Sequence, residues 1–399
     1  MKILCVFGTR PEAIKMAPVI LSLRDASPRI SIEICVSGQH KEMLDSVLNL
    51  FGLEFDYNLE VMRAGQDLVD ITSKVLVGMR EVLRQSAPDL VLVHGDTTTS
   101  FAAALASFYA NIKVGHVEAG LRTNDIFNPW PEEFNRKAVS LISGHHFAPT
   151  ESSKANLISE GIVAHKILVT GNTVIDSLFL ALKKLDESVE LTSKVLASLT
   201  EAGLPKNKLE AWKSKSRKLV LITGHRRESF GGGFQSICRA IQDLAKEYID
   251  TDFVYPVHLN PNVRSAVYEI FGDDPLKKWE SEDPMSSSLE NLYFIEPLDY
   301  LSFILLMRES HIVMTDSGGI QEEAPSLGKP VIVLRETTER PEALEVGTVR
   351  LVGTNRKLIF KEVQELLTND SVYDKMSQRI NPYGDGRASV RIRDYLLSL

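Results

Sequence analysis

Cysteine is scarce in this sequence of 399 residues, which contains only Cys5, Cys35 and Cys238. Each lies in apolar sequence. Their spacing is not that of metal ligands, and an odd number cannot form a complete set of disulfides. We therefore expect three reduced thiols in the core of the protein.

Long hydrophobic runs are also missing. The apolar start, residues 3–7, is far shorter than a membrane-spanning helix and lacks the layout of a signal peptide. The sequence has no excess of positive charge either, since 45 Lys and Arg face 53 Asp and Glu and give a net charge of −8. We therefore expect a cytoplasmic protein without a broad nucleic-acid or membrane surface, although a local basic site for a diphosphate is compatible with this balance.

What the sequence does contain is a repeated alternation of short apolar runs with helical patterns. This alternation is typical of doubly wound parallel α/β sheets, and a chain of this length is expected to form about two domains. We predict two Rossmann-like domains, residues 1–175 and 176–380, with ligands bound in a cleft at the carboxyl ends of the strands. The predicted strands are 2–7, 32–36, 89–93, 112–117, 167–169, 218–223, 253–257, 292–295, 311–314 and 330–334.

The most informative segment follows the predicted strand at 311–314. Ser317, Gly318 and Gly319 form a turn into a helix, where glycines let a ligand approach the backbone and unpaired N–H groups attract an anion. Glu322 and Glu323 are expected in the first turn of that helix, where a carboxylate can accept hydrogen bonds from a sugar diol. This segment predicts a site for a phosphate and a ribose.

Three carboxyl groups follow predicted strands or begin a helix in the first half of the chain. Asp96 and Glu118 lie two residues after His94 and His116, and Glu132 begins a helix. Acids crowded in one pocket raise one another's pKa and suit acid–base catalysis. Two alternatives remain: the acids cap helices and pair with Arg122 or Arg136, or the His-x-Asp and His-x-Glu patterns bind a metal. We favour no metal.

Basic groups also follow strands. Arg10 and Lys15 can both reach a diphosphate, although a solvated helix start is the alternative. In the second half, His225 is flanked by arginines, and His258 follows the next predicted strand. The glycine–lysine–hydroxyl spacing of a P-loop is missing, and residues 231–233 have the wrong spacing for a dinucleotide fingerprint. We therefore expect no NAD and no other cofactor.

The whole chain resembles the non-hydrolysing UDP-N-acetylglucosamine 2-epimerase family, and the 315–342 segment resembles the nucleotide-sugar site of the glycosyltransferase-B architecture. The resemblance extends from Met1 to about Arg391 and rests on several long motifs. These motifs are Phe7–Lys15, His94–Thr99, His116–Thr123, Pro129–Glu133, Thr223–Glu228 and Asn381–Gly386.

The resemblance implies interconversion of UDP-N-acetylglucosamine and UDP-N-acetylmannosamine, by elimination of UDP to a 2-acetamidoglucal and re-addition, without metal or redox cofactor. It implies that Asp96, Glu118 and Glu132 are the acid/base residues, and it leaves open which one removes the C2 proton. The residues implied at the substrate are Arg10, Lys15 and His225 at the diphosphate or sugar, Ser317, Gly318 and Gly319 as phosphate cradle, Glu323 at the ribose, Arg340 beside it and Phe303 against the uracil.

Further properties also come from the resemblance. It implies a homodimer and a last segment, residues 381–399, whose helix crosses back to the first domain. Many bacterial members are activated by their own substrate, which implies an allosteric site at Gln39, His40, Arg227 and His258. Glu42 stands where some regulated relatives have a second glutamine, so the sequence leaves this regulation open.

Three other functions remain compatible with parts of the sequence. A glycosyltransferase of the same architecture shares the phosphate cradle, but the first-domain acids argue against it. A hydrolysing epimerase, which releases N-acetylmannosamine and UDP, differs in whether water reaches the glycal. A non-catalytic nucleotide-sugar sensor needs the cradle without the acids.

Overall fold

The structure, a computed structural model, describes the chain except residues 27, 39–40, 64, 225–231, 273–288 and 339, and for residues 41–43 it describes the backbone alone. The chain forms two compact units. The first contains Met1–Leu180 together with Tyr383–Leu399, and the second contains Ala181–Pro382.

The first unit is built on a seven-stranded sheet in which all strand pairs are parallel. Its spatial order is β3-β2-β1-β4-β5-β6-β7. Both faces are covered, because valine, isoleucine and leucine side chains along β1 and β4 are buried on either side. The strands are β1 (Lys2–Phe7), β2 (Ser31–Val36), β3 (Tyr57–Asn58), β4 (Leu90–His94), β5 (Lys113–Val117), β6 (His145–Ala148) and β7 (Ile167–Val169).

Helices of the first unit begin where side chains cap their free N–H groups. Thr9 and Glu12 form a capping box at α1, Asp67 and Asp70 form another at α3, and Thr97 caps α4. The helices are α1 (Arg10–Arg24), α2 (Lys41–Phe51), α3 (Leu68–Ser86), α4 (Thr98–Tyr109), α5 (Glu132–Ile142), α6 (Glu151–Ser159) and α7 (Thr173–Glu187), which continues into the second unit.

The second unit has a six-stranded parallel sheet of order β10-β9-β8-β11-β12-β13. Its strands are β8 (Lys218–Thr223), β9 (Thr251–Pro256), β10 (Leu292–Ile295), β11 (Ile312–Thr315), β12 (Val331–Val333) and β13 (Val349–Leu351). Its helices are α8 (Val189–Glu201), α9 (Lys208–Lys213), α10 (Gly232–Glu247), α11 (Pro261–Phe271), α12 (Tyr300–Glu309), α13 (Gly318–Glu323), α14 (Pro341–Val346), α15 (Arg356–Thr368) and α16 (Asp370–Ser377). None of the helices in the described part of the chain is both long and apolar enough to cross a membrane.

The last helix, α17 (Ala388–Leu397), belongs to the first unit and contacts α1. Its N-terminus is capped by a residue that is distant in the sequence. Asp176 accepts hydrogen bonds from the backbone N–H groups of Ala388 (3.2 Å) and Ser389 (2.8 Å). Near its end, the Tyr395 hydroxyl lies 2.9 Å from Nδ1 of His145. These contacts fix residues 383–399 to the first unit.

The predicted α/β class with two parallel sheets is confirmed, and all ten predicted strands are present within one or two residues. Three further strands were missed: β3 has two residues, β13 has three, and β6 begins with two histidines in place of β-branched residues. The three cysteines are free and buried, as expected, and burial raises the pKa of each thiol to about 12.

Candidate active site

Some of the candidate site residues lie where each sheet reverses its winding direction. In the first sheet the chain passes from β1 outward to β3 and returns to β4 on the other side of β1. In the second sheet the chain passes from β8 outward to β10 and returns to β11 on the other side of β8. Ligands of open α/β sheets bind beyond the carboxyl ends of the strands at such reversal points. The turns after β1 and β4 carry Arg10 and Asp96, and the turn after β11 carries Ser317–Gly319.

Glu118 follows β5 and lies among polar side chains. Lys15 forms a short ion pair with its Oε2, and the Asn172 side-chain amide donates to the same oxygen at 2.8 Å. Nε2 of His94 lies 3.8 Å away, too far for a hydrogen bond. The backbone of Glu118 is left-handed, with φ 63°, a conformation that is uncommon and strained for a residue other than glycine. The carboxylate is therefore held in one place by the fold.

Two buried histidines adjoin Glu118. Burial lowers the pKa of His94 to about 4, although Glu118 opposes the shift, and burial lowers the pKa of His116 to about 3. Nε2 of His116 donates to the backbone carbonyl of Gly95 at 2.7 Å, so this nitrogen is engaged by the protein itself. Among the described residues, no group of three or more His, Cys, Asp or Glu side chains is arranged to hold a metal ion.

Asp96 is held by the start of α5. Arg136 donates to its carboxylate from Nε at 2.9 Å and lies 2.8 Å from it through Nη2. The Asn135 amide donates to the Asp96 carbonyl at 2.8 Å, and Arg136 also donates to buried Glu133 at 3.1 Å. The expected alternative of pairing with Arg136 is thus what the structure shows for Asp96, whereas Arg122 pairs with Glu160 at 2.7 Å.

Two of the three candidate acids are paired with cations. Glu118 has Lys15 and Asp96 has Arg136, so each carboxylate has a cation of its own. Glu132 lies at the first position of α5 and is half-buried. Arg10 lies at the first position of α1, is half-buried, and forms no ion pair with any residue that the structure describes.

In the second unit, Gly318 lies against the guanidinium of Arg340. A Cβ at Gly318 would be 3.0 Å from Cζ of Arg340, whereas a Cβ at Gly319 would meet open space. Arg340 donates from Nε to Glu322 at 2.9 Å, and both side chains are almost fully buried. The Ser317 side chain does not cap α13, and its backbone N–H donates to Thr315 Oγ1 at 3.0 Å.

The expectation that Glu322 and Glu323 lie in the first turn of a helix is wrong. They are the last two residues of α13, which has only six residues and passes into a 3₁₀ turn at Ala324–Leu327. Pro325 has no N–H to continue the α-helical ladder, which explains the early end. Glu322 consequently pairs with Arg340, and Glu323 accepts a hydrogen bond from the Tyr300 hydroxyl at 3.4 Å.

The remaining candidates are only partly described. Phe303 lies in the first turn of α12 and is half-buried. His258 is exposed after β9, and its Nδ1 accepts from the backbone N–H of Asn260 at 3.0 Å. Gln39, His40, His225 and Arg227 lie outside the described residues.

Comparison with known proteins adds to this geometry. Residues 23–397 match the family model described as UDP-N-acetylglucosamine 2-epimerase. The chain belongs to that family. It is 51% identical over 391 residues to a probable UDP-N-acetylglucosamine 2-epimerase of Ralstonia nicotianae, covering 98% of this chain and 97% of the relative. It is 48% identical over 396 residues to the Escherichia coli K12 enzyme of that name, covering 99% and 98%.

A solved structure gives the same result. The UDP-N-acetylglucosamine 2-epimerase of Neisseria meningitidis, crystallised with UDP-N-acetylglucosamine, superposes with a TM-score of 0.86 at 48% identity over the full length of both chains. The resemblance drawn from the motifs is therefore confirmed, and with it the glycosyltransferase-B type of architecture.

Sequence reasoning missed several side chains that hold the 2-epimerase candidates in place. Asn172 lies shortly after β7, behind a glycine. Asp96 and Glu118 were singled out because each lies shortly after a strand, and the same criterion would have found Asn172. Glu133 is completely buried and accepts from the backbone N–H groups of Thr123 and Asn124 at 3.1 and 3.2 Å. The sequence gives no sign of whether Glu132 or Glu133 points into the protein interior.

Proposed function

We propose that this protein interconverts UDP-N-acetylglucosamine and UDP-N-acetylmannosamine in the cytoplasm. A carboxylate removes the proton from C2 while the C1–O bond to UDP breaks, which gives a 2-acetamidoglucal with UDP still bound. A second carboxyl group then delivers a proton to the opposite face of C2, and UDP returns to C1. The net reaction inverts C2 and consumes no redox cofactor.

The observation that carries this proposal is the arrangement around Glu118. This carboxylate has a left-handed backbone conformation, and Lys15 and Asn172 both contact one of its oxygens, so the protein itself fixes its position. Asp96 lies at the neighbouring strand end, held by Arg136. Two such carboxylates at the ends of neighbouring strands suit proton transfer at the two faces of a bound sugar. Glu132 is proposed as the third member of the acid/base set.

Most of the groups proposed to bind UDP lie in the second unit, and the two exceptions are Arg10 and Lys15. Gly318 and Gly319 let a phosphate approach the backbone, Glu323 accepts from the ribose, Phe303 stacks on the uracil, and Arg340 adds a cation. Arg10 and Lys15 supply further cations from the first unit, and His225 is assigned to the diphosphate by the family resemblance. Together these groups stabilise the negative charge on departing UDP.

The decisive experiment is proton NMR of the purified protein with UDP-N-acetylglucosamine in heavy water. The expected result is UDP-N-acetylmannosamine with deuterium at C2, because the proton is exchanged with solvent through the enzyme. Free N-acetylmannosamine with UDP would instead indicate the hydrolysing enzyme. An unchanged spectrum would contradict epimerisation and favour a transferase or a sensor.

The proposal extends to regulation at a second substrate site near Gln39, His40, Arg227 and His258. Of these, His258 is described, and its exposed imidazole stabilises the Asn260 turn that begins α11. Substrate dependence of the initial rate tests this site. A sigmoidal curve supports activation by UDP-N-acetylglucosamine, and a hyperbolic curve contradicts it.

We also propose that two copies form a homodimer through the outer surface of α3 and α4. A groove of about 730 Å³ lies between these helices and is lined by Leu76, Leu83 and Tyr109, among others. Tyr109 is 70% exposed, and Arg80 and Arg84 also line the groove. Exposed apolar surface rimmed by polar side chains is typical of interaction sites. We expect light scattering to give twice the chain mass of 44.5 kDa.

Tyr109→Glu is expected to shift the mass toward that of a monomer, because it places a charge in the proposed interface. Ile249→Glu is the matched control, since Ile249 is also 70% exposed but lies in the second unit, and it is expected to remain dimeric. A monomeric wild-type protein, or a dimer that Tyr109→Glu leaves intact, would contradict this interface.

A further inference from the structure

Glu12 is a buried acid to which the proposed reaction assigns no role. It lies in the first turn of α1, two residues after Arg10, and only 2% of its surface is exposed. Burying a carboxyl group is unfavourable unless every oxygen is hydrogen-bonded. The partners of Glu12 therefore show what its position requires.

The two oxygens of Glu12 bind two different turns. Oε2 accepts from the backbone N–H groups of Gly8 at 3.0 Å and Thr9 at 2.8 Å, in the turn after β1 that leads to Arg10. Oε1 lies 2.7 Å from the hydroxyl of Thr97, which follows Asp96 in the turn after β4, and 3.0 Å from the hydroxyl of Ser100 in the first turn of α4. One side chain thus connects the two turns at the reversal point of the first sheet.

The number of protons on this network indicates the ionisation state of Glu12. Oγ of Ser100 lies 2.6 Å from the carbonyl of His94 and 3.0 Å from Oε1 of Glu12. A hydroxyl has one proton, and a carbonyl can only accept. If Glu12 is a carboxylate, one of these two contacts joins two acceptors without a proton.

A neutral Glu12 removes this conflict. Its Oε1–H donates to Ser100, Ser100 donates to the His94 carbonyl, and Thr97 donates to Oε1. Oε2 remains the acceptor for the two backbone N–H groups. Of the four contacts that the Thr97 and Ser100 hydroxyls make in this network, only the one between the two hydroxyls, at 3.2 Å, is then left without a proton, whereas a carboxylate leaves two. We propose that Glu12 is a positioning residue that, as a neutral carboxylic acid, holds the Arg10 turn and the Asp96 turn in register. This role rests on the proposed function of Arg10 and Asp96.

The surroundings agree with a neutral acid. Burial raises the pKa of Glu12, and the hydrogen bonds from Thr97, Thr9 and Gly8 oppose the shift only in part. The helix that supplies Thr97 and Ser100 is free of charged residues in its sequence. The titratable groups nearest along the chain are Arg10 and Lys15 on α1, and His94 and Asp96 at the end of β4.

Two substitutions separate positioning from packing. Glu12→Gln keeps the shape and neutrality of the side chain, and its amide can accept from Gly8 and Thr9 and donate to Ser100. We therefore expect kcat/KM to fall by less than about tenfold, which corresponds to the net contribution of one hydrogen bond. Glu12→Ala disconnects the two turns, and we expect a fall of more than about tenfold with most of the loss in kcat. Asp70→Ala is the control, because it removes the equivalent residue of the capping box of α3, which carries no proposed site residue.

The ionisation state is measured without turnover. In the infrared difference between wild type and Glu12→Gln at neutral pH, we expect the C=O stretch of a protonated carboxyl group. A folded-state pKa raised above 4.5 stabilises the fold below that pH and loses this contribution as pH rises through the folded-state pKa. The melting temperature of Glu12→Gln relative to wild type is therefore expected to increase with pH above about 4.5.

Each outcome decides between the two states. Carboxylate bands alone, or a melting-temperature difference that falls with pH, would overturn the neutral acid. Equal activity losses in the Gln and Ala variants, or an equal loss in Asp70→Ala, would overturn the positioning role. A wild-type protein that is inactive on UDP-N-acetylglucosamine would contradict the proposed function, whereas the infrared and melting experiments would still report on the Glu12 proton.

Discussion

Replacing Asp96 with asparagine is expected to lower kcat by about 10²–10⁴-fold, the usual contribution of a general acid or base, while UDP still binds. Asparagine has the same shape, and the Asp96 backbone carbonyl keeps its hydrogen bond from Asn135 at 2.8 Å. What is lost is a carboxylate able to carry a proton. Because the groups proposed to hold UDP lie mostly elsewhere, ground-state binding of the nucleotide should remain close to that of the wild type.

The substitution also removes one partner of Arg136. That guanidinium keeps its contact to buried Glu133 at 3.1 Å, so we expect the fold to survive with a modest fall in melting temperature. Glu160→Gln is the matched control. It removes a carboxylate of the same unit that pairs with Arg122 at 2.7 and 2.9 Å, and Glu160 is the C-cap of α6, which carries no proposed site residue.

The measurements are deuterium incorporation at C2, formation of UDP-N-acetylmannosamine and calorimetric titration with UDP. Glu160→Gln is expected to be near wild type in all three. Turnover of Asp96→Asn within about tenfold of wild type would place it outside the range for an acid/base catalyst. Parallel loss of UDP binding would show that Asp96 acts in ground-state binding.

The positions of the candidate residues were predictable because parallel strands bring their carboxyl ends to one edge. Arg10, Asp96 and Glu118 all follow apolar runs, and the structure places each at such an end. The family motifs then added roles that strand position alone does not give. Sequence periodicity and turn residues are local signals, so they were sufficient for this part of the site.

The partners of these residues were not predictable, because they depend on how α5 and α1 are rotated about their axes. Arg122 and Arg136 were equal candidates for Asp96, and the rotation of α5 selects Arg136. Glu12 is similar: its capping box is visible in sequence, but its contacts with Thr97 and Ser100 depend on α4. The short length of α13 was not predicted, because the two glycines indicate where the helix begins but not where it ends.

Alanine substitutions at Gly318 and Gly319 are expected to have large and different effects, because Gly318 is packed against a side chain and Gly319 is not. A methyl group at Gly319 meets open space, so Gly319→Ala should leave the fold intact and stabilise it by about 0.4–1 kcal/mol through the unfolded state. If a phosphate of UDP binds close to this backbone, the same methyl group displaces it. Loss of one hydrogen bond to a charged group corresponds to about 10–100-fold weaker UDP binding.

Gly318→Ala is the matched comparison. Its methyl group would lie 3.0–3.2 Å from Cζ, Nη1 and Nε of Arg340, whose Nε is held by Glu322 at 2.9 Å. The guanidinium must shift, which strains a nearly buried ion pair, and overpacking of this kind costs about 1–3 kcal/mol. We therefore expect a lower melting temperature for Gly318→Ala and an unchanged or higher one for Gly319→Ala.

Calorimetric titration with UDP and thermal unfolding of both variants separate ligand contact from fold. Weak UDP binding by a stable Gly319→Ala protein would indicate that the ligand occupies the space over that glycine, because, apart from its chain neighbours and the backbone of α13, no atom of the described residues lies within 4 Å of a Cβ placed there. Wild-type affinity in Gly319→Ala would place the diphosphate away from α13. Binding would then depend on the other groups proposed for the diphosphate, and Lys15→Met would test one of them.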